Sequence, residues 1–93
     1  MKEKRIVDKE LLRSVSQMPC LVCNRYPSDP DHITTRGARG DDTPDNVWSL
    51  CRTHHQERHK IGLISLINKY PVLESWLLKY GREDILDRRE QNG

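Results

Sequence analysis

The chain has 93 residues, 34% of them apolar and none of them Phe, with a formal net charge of +2. That length makes one domain with a thin core, and chains this small usually need a disulfide or a metal as a staple. No apolar run is long enough to span a bilayer, and a charge so near zero does not by itself require a nucleic-acid partner.

Residues 1–7 are charged and are expected to be frayed or loosely docked. The opening Met1-Lys2-Glu3-Lys4-Arg5 lacks the apolar stretch of a secretory leader, and the three cysteines cannot all pair. The expected setting is the reducing cytoplasm, where clustered Cys and His read as metal ligands. From Asp8 to about Gln17 the spacing of Leu11, Leu12 and Val15 predicts a helix capped by Asp8 and stopped by Pro19. Cys20 to Pro30 reads as a turn-rich knuckle, because Pro27, Ser28, Asp29 and Pro30 exclude helix. A short strand is predicted over His32–Thr35, a polar loop over 36–45 and a second strand over Val47–Leu50. These form a hairpin with a long tip, and residues 52–60 should form a helix packed across it.

Gly62 bends or breaks the chain, and two helices follow over about 63–80, parted at Pro71. Leu73, Trp76, Leu77 and Tyr80 give the second of these an apolar face, and Gly81 stops it. Residues 83–89 add a short helical turn, and 91–93 should fray. Trp48 and Trp76 read as core. With no repeat, linker or composition break, the expectation is a single α+β domain over 1–93.

All three cysteines and all four histidines fall between Cys20 and His59. Packing alone rarely concentrates them so, and two sites are implied. Closed zinc sites are built from two short ligand pairs. Cys20-x-x-Cys23 is one pair and Cys51-x-x-His54 the other, with the hairpin inserted between them. In so small a domain, binding that ion would be linked to folding. His55, adjacent to His54, competes for the fourth position.

His55 and His59 are four apart and share one helix face, whereas His54 is rotated by about a quarter turn or more from His55. One helix can therefore aim His54 at a zinc and present His55 and His59 to a second ion. Phosphodiester cleavage needs an activated water, an electrophile on the phosphate and stabilisation of the leaving oxygen. A neutral imidazole can deprotonate water, a cation held by a carboxylate and imidazoles can bind the phosphate, and an asparagine amide can hold the base. Asp31, His32, Asn46, His55 and His59 supply those parts. In an ideal strand, however, Asp31 and His32 point to opposite faces. A shared site then asks for an irregular strand start or a bulge.

The run Cys20-x-x-Cys23, Asp31-His32-Ile33, Asn46-x3-Leu50-Cys51, x-x-His54-His55 resembles the HNH endonuclease family over about residues 20–60. The resemblance implies a ββα-metal core of hairpin and helix around a catalytic cation, stapled by zinc and flanked by the N-terminal helix at 8–17 and the C-terminal helices. It implies that His32 is the general base and Asn46 the residue that orients it. Asp31 and His55, with His59, would hold a catalytic divalent cation (Mg²⁺, Mn²⁺, Ni²⁺ or Zn²⁺). Many members carry two Cys-x-x-Cys pairs, and here His54 stands where the last cysteine would be. A compact chain of this kind is most similar to phage or prophage endonucleases.

The expected partner is DNA, with no membrane role, as a monomer that nicks or a homodimer that cuts both strands, working beside phage DNA-processing proteins. Arg36 and Arg39, on a glycine-containing loop, and Arg52 and Arg58, beside the histidines, are the candidate phosphate contacts. For Arg36 and Arg39 an ordinary exposed loop is the alternative. Asp41, Asp42 and Asp45 read as loop solvation, with Asp45 an alternative brace for the turn before Asn46. Two other functions compete: a non-catalytic zinc module that binds nucleic acid or protein, and an oxidoreductase using Cys20 and Cys23. The first leaves Asp31, His32, Asn46, His55 and His59 without a task, and the second conflicts with the second ligand pair.

Overall fold

The protein is described by a computed structural model covering residues 4–89; the fraying expected at 91–93 lies outside the described residues. Helix α1 spans Lys9–Ser16, and its Asp8 cap is formed by the carboxylate accepting the Leu11 N–H at 3.0 Å. A turn carrying Cys20 and Cys23 leads to strand β1, Asp29–His32. After a 3₁₀ turn at Arg36–Ala38 comes strand β2, Val47–Leu50. Four helices follow: α2 Arg52–Ile61, α3 Leu63–Lys69, α4 Pro71–Lys79 and α5 Glu83–Leu86. The fold class is α+β, among the described residues a two-stranded antiparallel hairpin with five α-helices.

The first strand lies about three residues upstream of its expected place at His32–Thr35. Its register pairs Asp29 with Leu50, Pro30 with Ser49, Asp31 with Trp48 and His32 with Val47. The Ile33 N–H bonds Asn46 O at 2.8 Å, so hydrogen-bonded pairs alternate from there and Pro30 falls where no N–H is needed. Ser49 O turns outward at that rung and accepts the Leu21 N–H at 3.0 Å, fastening the cysteine turn to the outer edge of β2. β-Branched composition at Ile33-Thr34-Thr35 pointed to the wrong segment because side-chain propensity is weak beside pairing.

Both strands pack against α1 and against α2, and α3, α4 and α5 follow on from α2, each against the one before. Leu50, Leu66, Leu73, Leu77 and Ile85 are completely buried, and Ile33, Trp48 and Ile67 nearly so. Trp48 is buried in the core and meets Trp76 edge-on at 5.4 Å, but Trp76, expected in the core, is only half-buried and packs against it. Tyr80, expected on the same buried face of α4, is 38% exposed and stacks at the rim against Trp76. Gly62 (φ +90°) separates α2 from α3, and Gly81 (φ +71°) follows α4, conformations that side chains resist. Residues 5–8 are not loosely docked. Arg5, Ile6 and Asp8 are hydrogen-bonded to the loop at 40–42. Among the described residues, no helix is long and apolar enough to cross a membrane.

Candidate metal centres and active site

The first cluster is built by a turn and a helix start. The Asn24 N–H bonds Cys20 O at 2.9 Å with Asn24 at φ 65°, which curls Cys20 and Cys23 toward one point. Cys51 is the N-cap of α2 and His54 lies in its first turn. Cys51 Sγ and His54 Nδ1 are 3.2 Å apart, Cys20 Sγ and His54 Nδ1 3.6 Å, and Cys23 Sγ and Cys51 Sγ 3.7 Å. A zinc tetrahedron with ~2.3 Å bonds sets its sulfurs ~3.8 Å apart, whereas a disulfide would need ~2.05 Å. The four ligand atoms all lie within 4.8 Å of one another, and three sulfurs with one imidazole are the donor set zinc takes. Burial works against ionising Cys20, but backbone N–H groups of Cys51, Cys23 and Val22 aimed at its sulfur draw the thiol down to about 7. His54, not His55, joins the cysteines.

The second cluster draws on both sides of the hairpin–helix junction. Asp31, His55 and His59 bring one carboxylate and two imidazoles within 4.8 Å of one another. His55 Nε2 is 3.3 Å from Asp31 Oδ1 and 3.3 Å from His59 Nε2. One helical turn between His55 and His59 sets that spacing. On its other side, His55 Nδ1 meets Asp29 Oδ2 at 3.1 Å, the carboxylate–histidine arrangement that fixes a ligand's tautomer and ring orientation. A hydrogen bond from Arg52, with His55 adding to it against partial burial, holds the Asp29 carboxyl below the usual carboxylate range. An N₂O donor set of this kind suits a divalent cation and leaves positions open for other ligands.

Asp31 and His32 do leave opposite faces of β1, and no bulge brings them together. Both border one cleft of about 530 Å³ with His55, His59 and Arg36. They can do so because β1 is the free edge of a two-stranded sheet. Asp31 is buried; its Oδ2 accepts the Trp48 indole N–H at 2.6 Å, and both of its oxygens lie 2.6 Å from Arg58 Nη1. His32 Nε2 lies 2.7 Å from Asp42 Oδ1.

Asn46 makes no hydrogen bond to His32. Its amide donates to Thr34 O at 3.0 Å and Asp41 O at 2.9 Å, and its oxygen accepts the Thr34 N–H at 2.8 Å. It therefore fixes the loop between the strands, and Arg82 braces it from behind at 3.1 Å. Gly40 belongs to the same bracing. A Cβ there would fall 1.6 Å from Thr34 O, so its smallness serves backbone packing.

The arginines divide. Arg36 borders the cleft and is exposed; Arg39 is also exposed but lines a neighbouring hollow with Asn46 and Arg82. Arg52, its side chain 74% exposed, pairs with Asp29 at 2.8 Å. Arg58, expected among the DNA contacts, is instead buried. Its guanidinium is committed to Asp31 and to the carbonyls of His32 (2.6 Å) and Ile33 (3.0 Å). One helical turn beyond His54 and His55, it faces β1 and satisfies the carbonyl of the strand's last residue, His32, and that of Ile33 just past its end.

Three contributors went unread in the sequence. Asp42, expected to be solvated, is 2% exposed. Burial opposes its charge, but hydrogen bonds from His32, the Asp8 N–H and Arg5 outweigh that and hold its carboxyl far below the usual range. Arg82 comes from beyond α4. Asp29 alone left a trace: a strand over Asp29–His32 puts it on the same face as Asp31 by period two.

A profile of the family described as "Putative HNHc nuclease" matches residues 4–85. Among curated proteins, "Uncharacterized protein YdfU" of Escherichia coli (strain K12) is 36% identical over 61 residues, 62% of this chain and 18% of that protein. The chain thus spans less than a fifth of the length of the relative it matches. No solved structure matches. The family match takes in both clusters, the cleft and the loop that borders it, and the chain belongs to the HNHc nuclease family.

Proposed function

We propose that this chain is a metal-dependent DNA endonuclease that hydrolyses phosphodiester bonds in the cleft between β1 and α2. The observation that carries the reading is the juxtaposition of Asp31, His55 and His59 with a further imidazole, His32, and an exposed arginine, Arg36, around one opening. A divalent cation held by Asp31, His55 and His59 would supply Lewis-acid stabilisation of the phosphate and of the departing oxygen.

The chain's own groups do the remaining work. His32 takes the proton of the attacking water as the general base. Asn46 holds the loop that walls the cleft, so the base stays in register with the phosphate. Trp48 and Arg58 fix the Asp31 carboxylate in place before any ligand arrives, which spares reorganisation during the reaction. Arg36 and Arg39, with Arg52 at the helix start, are placed to meet phosphates along a bound strand. Cys20, Cys23, Cys51 and His54 would hold a zinc that ties the knuckle to α2, apart from the chemistry. One site per chain favours nicking, and a homodimer would cut both strands. DNA in the cytoplasm of a bacterial host or a phage-infected cell, beside phage DNA-processing proteins, is the setting this reading implies.

The test is cleavage of supercoiled plasmid by zinc-loaded protein with added Mg²⁺, Mn²⁺ or Ni²⁺. Wild type should cut, and a folded His32→Ala variant should lose on the order of 10²–10⁴-fold in rate. If no ion supports cutting, a non-catalytic zinc module that binds nucleic acid or protein takes the place of the nuclease. Equal cutting by both proteins would remove His32 from the role of base.

A further inference from the structure

We infer that Asp42 is the positioning carboxylate of His32, holding the imidazole as its Nε2–H tautomer so that Nδ1 keeps the lone pair that accepts the proton. The inference deepens the nuclease reading and rests on it for the role of His32. It supplies a direct partner for the base, which the loop-fixing Asn46 is not.

The hydrogen-bond inventory decides the tautomer. The Asp42 side chain is fully buried, and Oδ1 meets His32 Nε2 at 2.7 Å and Arg5 Nη1 at 2.9 Å. Its Oδ2 accepts the Asp8 N–H at 2.9 Å. A cation and a backbone N–H on a buried carboxyl keep it ionised, and an ionised carboxylate only accepts. The proton in the short contact must therefore sit on His32 Nε2, which leaves Nδ1 unprotonated in the neutral ring.

The rest of the local architecture exists around this carboxylate. A buried charge is costly unless it is paired and fully hydrogen-bonded. Segment 5–8 crosses the loop to provide that pairing: Ile6 O accepts the Asp42 N–H at 2.9 Å, and Asp41 Oδ1 accepts the Ile6 N–H at 2.8 Å. Residues remote in sequence are thus zipped together over the backbone of the base's partner. When water attacks, its oxygen bonds to phosphorus, its proton passes to His32 Nδ1, and the bond from phosphorus to the leaving oxygen breaks. The leaving oxygen takes a proton from solvent, and the imidazolium later returns its own to solvent. Asp42 stays ionised throughout, facing the charge that the ring gains.

The primary experiment is a long-range ¹H–¹⁵N spectrum of the zinc-loaded full chain at neutral pH without added cation, with His32 assigned by its loss in His32→Gln. The expected result is a pyrrole-like Nε2 and a pyridine-like Nδ1 at His32. A protonated Nδ1 in wild type, or equal averaging of the two nitrogens, overturns the inference. Asp42→Asn offers an amide that can donate to Nε2; it should shift the ring toward Nδ1–H and lower kcat by on the order of 10²-fold or more, with KM within a few-fold. A folded Asp42→Asn with unchanged kcat overturns the inference as well. If Asp42→Asn does not fold, the wild-type spectrum decides. A wild type that cuts no DNA but shows the Nε2–H ring would sink the nuclease reading and leave the Asp42–His32 pairing standing.

Discussion

The two side-chain clusters lie at opposite ends of one short stretch of α2, and adjacent histidines feed them. His54 turns to three sulfurs in a closed set in which Cys20 and Cys51 are buried. His55 turns to Asp31 and an exposed His59 at the wall of an open cleft. The first has four soft or borderline donors, enough to complete a tetrahedron, the pattern of a structural zinc site. The second has three harder donors beside an open cleft, and its carboxylate, Asp31, is held by Arg58 and Trp48. The first cluster is made of metal donors alone, while the second has its carboxylate fastened by an arginine and an indole. A residue's neighbour in sequence says little about its task; the direction of its side chain from the helix decides.

The largest expected effect would break the comparison at its strong end. Removing zinc with a tight chelator, or substituting His54→Ala, should abolish cooperative unfolding and leave a largely unfolded chain, since binding of structural zinc is worth on the order of 10–16 kcal/mol. His55→Ala, one residue away, should retain helical content and one equivalent of zinc while losing cleavage. Circular dichroism and metal analysis on both variants would check this. Loss of folding in both would mean that the clusters are not separable.

Next comes the protein-held state of the cleft. Arg58→Met leaves the buried Asp31 charge without its partner and should destabilise the zinc-loaded chain by about 3–5 kcal/mol in denaturant melts. A change below about 1 kcal/mol would mean that the pair behaves as an exposed one.

Asp29→Asn should act more gently. It removes the carboxylate behind His55, so affinity for an added divalent cation should fall about 10–100-fold while zinc content stays constant. Calorimetric titration of the zinc-loaded protein measures both.

The smallest effect is a pH dependence at Asp42, beside the cleft. The folded value of Asp42 lies below its unfolded value of about 3.9. Its contribution to stability is therefore complete well above that pH, and is lost as pH falls toward the folded value. Stability of wild type should drop more steeply than that of Asp42→Asn between about pH 5 and 3, as followed by urea unfolding.

Much of this molecule was legible because its signals are local. Asp8 caps α1 through a bond to a residue three positions on, Gly81 closes α4 through its own backbone angle, and ligand pairs two residues apart announce a metal knuckle. The four-residue spacing of His55 and His59 placed both on one side of α2 before any tertiary contact was known. Strand placement failed for the converse reason. Ile33, Thr34 and Thr35 favour strand individually, but the ladder forms where Pro30 needs no N–H and Leu50 and Trp48 find their partners. Once the strand moved, Asp29 joined the site.

The sequence by itself thus determined the α+β class, the helices, the two short Cys/His pairs and the shared helix face of His55 and His59, since each follows from periodicity or short spacing. The choice of His54 over His55 beside the cysteines came from the tertiary structure. Only the tertiary structure decided what each charge is for. Asp42 and Arg58 resemble any surface residue in composition, and nothing within a few positions marks them. The N-terminal segment folds over one and the end of β1 receives the other, so burial turns a loop carboxylate into the partner of His32 and an apparent DNA contact into the clamp on Asp31. Such roles arise from long-range desolvation, which local sequence does not encode.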